Sequence, residues 1–176
     1  MLSGQRWILD YSKQPTEKNE LKFEVIMSGE LSEEEIKHYK YEASRYNLKA
    51  PIEYWMAKDS DLVEICNGVG PEWFPEKARK LTTELFKYFL PSTNIHDYDY
   101  DKMEKTEENF SKANYRLKRN MKRQYVFDYK KAKKDMSWLN QARWRAKLIR
   151  YRRAKACEFL YKMCDDHGKK AFMEAK

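Results

Sequence analysis

Only five glycines and five prolines interrupt the 176 residues of this chain. The long stretches between them are built from Lys, Glu, Arg, Ala, Leu and Met, the side chains that lose least freedom on entering a helix. A mostly helical protein is therefore expected. Hydrophobic residues make up 41% and aromatics 15%, with five Trp and thirteen Tyr, far too much apolar surface for a chain that stays disordered. At this length one hydrophobic core suffices and two large domains are not expected. No stretch approaches the roughly 18 consecutive apolar residues that span a bilayer, and the opening MLSGQRWILDYSKQ has no secretory apolar region. The expectation is a cytosolic start with neither signal peptide nor transmembrane segment. Cys66, Cys157 and Cys164 are too few for a disulfide framework and are expected as free thiols. Cys157 and Cys164, seven apart on one helical face, read as small buried hydrophobes rather than zinc ligands.

Local patterns divide the chain further. LKFEVIM at 21–27 alternates apolar and polar residues as a short strand does. Ser32 followed by Glu35 forms a capping box for a helix over about 33–47. Its apolar stripe is Ile36, Tyr39, Ala43 and Tyr46, and Pro51 is expected to close it. Pro75 is placed to start a helix burying Ala78, Leu81, Leu85 and Phe89, ended by Pro91, with Ser92 or Thr93 capping the next. From Thr106 the pattern is helical nearly to the end, with a break expected near 126–136. The last long helix, about 137–164, is expected to pack Leu139, Ala142, Ala146, Ile149, Ala156, Leu160 and Met163 and to stop at Gly168.

The net charge of +8 is distributed unevenly. Residues 116–155 hold sixteen Lys and Arg against two Asp, while 156–176 balance four against four, which leaves −6 for residues 1–115. Such a basic block fits an anionic partner, either nucleic acid phosphate or an anionic membrane surface, and an acidic neighbouring segment is the alternative.

The candidate chemistry lies between 65 and 110. CNGVGP at 66–71 carries Gly68 and Gly70, whose backbone freedom lets successive carbonyls turn inward. HDYDYD at 96–101 puts Asp97 next to His96, and Asp99 and Tyr100 one helical turn on. A general base needs an imidazole held in one tautomer by a group on its other nitrogen. Calcium needs carboxylate and carbonyl oxygens. His96 offers the first and Asp97 one ligand of the second.

The succession NGVGP, HDYDYD and EENF at 107–110 resembles the phospholipase A2 superfamily, with its glycine-rich calcium loop, H-D-x-x-Y helix and antiparallel helix bearing D-x-x-F. Viral capsid phospholipases and short bacteriophage-encoded proteins are nearest in wording, and the motif core covers residues 66–110. The resemblance implies calcium held by Asp97 and by carbonyls near Gly68 and Gly70. It implies water activation by His96, orientation of that ring by Glu107, and support of that carboxylate by Tyr100. The loop has fewer glycines than the secreted enzymes, Glu107 stands where the family has Asp, and the family's disulfides are absent.

The fold implied is mainly α: phospholipase A2-like antiparallel catalytic helices over 63–125, a small α/β N-terminal extension over 1–62, and a long basic C-terminal helix over 126–176. The activity implied is calcium-dependent hydrolysis of an ester bond in a phospholipid, by a phage- or virus-encoded protein in host cytoplasm or virion. In that reading the basic helix, through Arg143, Arg145, Arg150, Arg152 and Arg153, would dock the protein on an anionic membrane surface. The alternative is an inactive virion structural or nucleic-acid-binding protein that uses the same arginines, with Trp138, Trp144 and Tyr151 expected as core or interface anchors. Its partners would be nucleic acid or other virion proteins rather than phospholipid. A remoter possibility is the metal set of helical phosphohydrolases, imitated by His38, His96, Asp97 and Asp128.

Overall fold

The computed structural model describes residues 31–66, 86–135 and 140–174, which are mainly helical, with no strand among them. The expected strand at 21–27, the loop with Gly68 and Gly70, nearly all of the helix expected from Pro75, and Trp138 and Leu139 lie outside the described residues.

Helix α1 runs Glu33–Arg45. The Glu35 N–H donates to Ser32 Oγ at 3.3 Å and the Ser32 N–H to Glu35 Oε2 at 2.9 Å, so the capping box satisfies two otherwise orphaned donors. Ile36, Tyr39, Ala43 and Tyr46 are buried as the stripe requires. Pro51 does not end the helix. Asn47 does, at φ 52°, a left-handed conformation that Asn tolerates better than most residues. The Leu48 N–H then folds back to Ala43 O at 2.9 Å. Two short helices follow, α2 (Ile52–Met56) and α3 (Asp59–Ile65), which bury Tyr54 and Leu62 completely. Lys40 Nζ ties α1 to their junction through Ala57 O and Asp59 Oδ1, each at 2.9 Å.

A 3-10 turn at Lys87–Phe89 leads into α4 (Leu90–Lys102). Pro91 lies in the first turn, where its missing N–H leaves no hydrogen bond unmade. Ser92 and Thr93 therefore sit inside the helix instead of capping it. The Ser92 hydroxyl bonds to Gln124 Oε1, and Thr93 Oγ1 donates to Leu90 O at 3.2 Å. Every residue from Leu90 to His96 is buried, because α4 is enclosed by α1, α3 and the long helix α5 (Glu107–Asp135).

Helix α5 presents Phe110, Ala113, Leu117 and Met121 at helical spacing to the core. Among them stand three buried amides, Asn114, Asn120 and Gln124. Asn120 accepts from the Lys49 N–H at 2.9 Å and donates to Lys49 O at 2.8 Å, and Gln124 donates to Tyr88 O at 2.9 Å. Helix α6 (Asn140–Glu174) returns antiparallel to α5: Arg153 meets Asp128 and Lys169 meets Glu107. Helix α5 is continuous from 126 to 135, so most of the window expected to break is helical, and residues 136–139 lie outside the described residues.

Helix α6 continues through Gly168, which does not act as a stop. It buries Cys157, Leu160 and Phe172, whereas Ile149 is 49% exposed. Tyr54 and Leu62, assigned by sequence to an extension, share one buried cluster with Leu90, Ile95, Leu117 and Leu160. No described helix is long and apolar enough to cross a membrane.

Candidate active site

Antiparallel packing of α4 on α5 decides what His96 meets. Along the seam Ser92 faces Gln124, Asp99 faces Arg116, and His96 faces Asn114. The His96 ring, 6% exposed, lies 4.0 Å from the ring of Tyr100, its neighbour one turn on. His96 Nε2 is 2.9 Å from Asn114 Oδ1, and the Tyr100 hydroxyl donates to the same oxygen at 2.8 Å. On the other side of the amide, Asn114 Nδ2 donates to Asp165 Oδ1 of α6 at 3.4 Å.

These contacts determine the proton positions. A carboxylate oxygen only accepts, so Asp165 turns the amide nitrogen of Asn114 toward itself and the amide oxygen toward His96. That oxygen also only accepts, so the proton of a neutral His96 ring resides on Nε2. Nδ1 keeps its lone pair. It lies 3.8 Å from Asp97 Oδ1, too far for a hydrogen bond and near enough for charge interaction.

Asp97 belongs to a second polar group on the side of α4 toward α2 and α3. Its Oδ2 is enclosed and has no hydrogen-bond partner among the described residues, and the same holds for both amide atoms of Asn94 and for the Tyr54 hydroxyl. Burial raises the Asp97 carboxyl above the usual carboxylate range, and His96 only partly opposes that rise. Burial, and secondarily the charge of Asp97, also raises the thiols of Cys66 and Cys164, the latter to about 12. Cys66 Sγ donates to Asn94 O at 3.5 Å, which sets Cys66 beside α4. Orphaned buried polar groups cost about 1–3 kcal/mol each and native structures carry few of them. Of these atoms, Asp97 Oδ2 and Asn94 Oδ1 are oxygens of the kind calcium takes, whereas Asn94 Nδ2 can only donate. Gly68 and Gly70 lie outside the described residues, and among the described residues no three His, Cys, Asp or Glu side chains cluster as metal ligands.

Other members of the expected site are placed differently. Glu107 does not reach His96: it opens α5, is exposed, and is held by Lys169, which lowers its carboxyl. Asn114 takes that position because it stands two turns further along the same face of α5. The Tyr100 hydroxyl, expected on the Glu107 carboxylate, donates instead to the Asn114 amide oxygen. Phe110 packs against the Tyr100 and Phe172 rings. Asp99 does not pair with His96. It bonds Arg116 at 2.5 Å, and burial nevertheless pushes its carboxyl up to about 6.

The phosphohydrolase set does not assemble. Asp128 is taken by Tyr88 at 3.0 Å and Arg153 at 2.8 Å, fourteen residues and so about 21 Å along α5 from Asn114. His38 is exposed on α1.

Sequence reasoning missed Asn114 and Asp165, and took Gly168 for a helix stop. An ideal Cβ on Gly168 would lie 2.6 Å from the Tyr100 hydroxyl, so this glycine makes room for the tyrosine that supports Asn114. In the basic segment, Arg153 is a structural residue, paired with Asp128 and stacked 3.5 Å over the Tyr88 ring. Trp144 and Tyr151, expected as core or interface anchors, are exposed and so not part of the core. Comparison with family models, with curated proteins and with solved structures finds no match to this chain.

Proposed function

We propose that the chain is a phospholipase A2-like hydrolase that cleaves an ester bond of a phospholipid in a calcium-dependent reaction. The observation that carries this reading is the convergence of His96 Nε2 and the Tyr100 hydroxyl on Asn114 Oδ1. It leaves the Nδ1 lone pair free, beside a carboxylate whose Oδ2 has no partner among the described residues.

In this reading His96 Nδ1 takes a proton from water as the water oxygen bonds to the ester carbonyl carbon. The positive charge that develops is spread over the ring and met by the Asn114 amide oxygen at Nε2. The acyl C–O bond then breaks, and the proton on Nδ1 passes to the departing alkoxide oxygen, giving a free carboxylic acid and an alcohol. Asp97 and carbonyls of the 67–70 segment would hold the calcium, which when bound supplies a Lewis acid for the ester carbonyl.

Calorimetric titration of calcium into the full chain is expected to show one site in the wild type and none in Asp97→Asn. Hydrolysis of phospholipid vesicles is expected to require calcium and to fall at least a hundredfold in His96→Gln. Absence of calcium binding in the wild type overturns the proposal, as does hydrolysis unaffected by His96→Gln.

A further inference from the structure

The first half of α6 contains a pattern that the hydrolytic site does not use. RWR at 143–145 recurs as RYR at 150–152, an aromatic residue between two arginines repeated after seven residues. Seven residues are nearly two helical turns, so Trp144 and Tyr151 lie on one side of α6 about 10 Å apart. They are 64% and 61% exposed. Arg145 and Arg152 flank them on the same outward side, and both are exposed.

Toward α5 the helices leave a cleft of about 370 Å³ lined by Tyr129, Lys133, Arg143 and Lys147, and Arg150 stacks 4.9 Å over the Tyr129 ring. Residues 129–155 contain eleven Lys and Arg and one acidic residue. This end of the α5–α6 pair is therefore cationic on more than one side, with aromatic rings set among the cations.

Two anionic partners fit the charge, and the arrangement of apolar groups separates them. A helix that lies in a membrane interface needs a continuous apolar face. Here exposed Ile149 falls about 140° around the helix from Trp144, and over 143–155 the exposed positions between them are Arg145, Arg152 and Lys155, beside half-buried Leu148, while exposed Phe159 follows two turns beyond Tyr151. Single-stranded nucleic acid instead asks for separate aromatic platforms, each beside a cation that holds the phosphate between successive bases. We infer that the outer face of α6 over residues 143–155 binds single-stranded nucleic acid, with Trp144 and Tyr151 stacking on bases and Arg145 and Arg152 contacting phosphates.

The test is fluorescence anisotropy of the full chain with a fluorescein-labelled oligothymidylate across a salt series. Wild type is expected to bind more tightly to the single strand than to a duplex of equal length. Trp144→Ala with Tyr151→Ala should weaken binding at least tenfold at unchanged salt slope. Arg145→Gln with Arg152→Gln should reduce that slope by roughly 1 to 1.5. All four side chains are exposed, and circular dichroism checks that each variant keeps its helix content. Equal affinity for duplex, or affinity unchanged in the aromatic variant, overturns the inference. So does binding to phosphatidylglycerol vesicles without binding to the oligonucleotide. Calcium binding and ester hydrolysis should be unchanged in these variants, which keeps this test separate from that of the hydrolytic site.

Discussion

An amide beside an imidazole can fix the ring's tautomer as a carboxylate does, but it brings no charge to stabilise the imidazolium. Asn114 is in that position, and the carboxylate that positions it, Asp165, stands one residue further out. Exchanging the two groups moves the negative charge next to the ring while keeping a donor facing an acceptor. The double variant Asn114→Asp/Asp165→Asn is therefore expected to raise kcat for phospholipid hydrolysis about tenfold, equivalent to about 1.4 kcal/mol of transition-state stabilisation. Asn114→Asp alone should gain less, since it would set two carboxylates against each other. A double variant no faster than wild type would show that charge at this position does not limit the reaction.

At the scale of elements, the amide residues of α5 organise the chain around it. Asn120 makes two hydrogen bonds to the backbone of Lys49, in the connector between α1 and α2. Asn120→Ala should cost about 2–3 kcal/mol in chemical denaturation, because both backbone groups lose their partner. It should also speed amide hydrogen exchange at Lys49 while leaving α6 protected. Exchange at Lys49 that matches wild type would mean that the connector is held by other contacts.

The same comparison shows what could be read from the sequence. The Ser32–Glu35 box and the Ile36, Tyr39, Ala43 stripe were legible because their partners lie within one or two turns of the same helix. His96, Asp97 and Tyr100 were likewise legible as one turn of one helix. The residue facing His96 depends on the register of α4 against α5, which no local pattern encodes. The resemblance implies Glu107, three residues before Phe110, whereas Asn114 faces His96. Gly168 misled because a glycine near a helix end can signal a stop or a close approach, and only the Tyr100 hydroxyl tells the two apart. The basic surface was visible as charge, but the separation of structural Arg153 from outward Arg145 and Arg152 required knowing where Asp128 and Tyr88 lie.

For the molecule as a whole, burial of Asp99 links stability to pH. Its carboxyl, raised from 3.8 to about 6, binds a proton more tightly in the folded state than in the unfolded chain. The corresponding stabilisation is complete below about pH 4 and is lost as the pH rises through about 6. The stability of wild type relative to Asp99→Asn, which cannot titrate, should therefore fall by up to about 3 kcal/mol across that interval. Urea denaturation at a series of pH values measures this difference, and a constant difference would show that Arg116 holds Asp99 ionised throughout.

One uninterrupted helix carries both regions discussed above. The turn of α6 around Leu148 lies among the outward arginines, and twenty residues later Gly168 receives the Tyr100 hydroxyl. At 1.5 Å per residue, that separation is about 30 Å. Under the two proposals above, helix α6 would act as a ruler: a strand held on the outward arginines would stay a set distance from His96, a tether for the protein and not the molecule whose bond is cut.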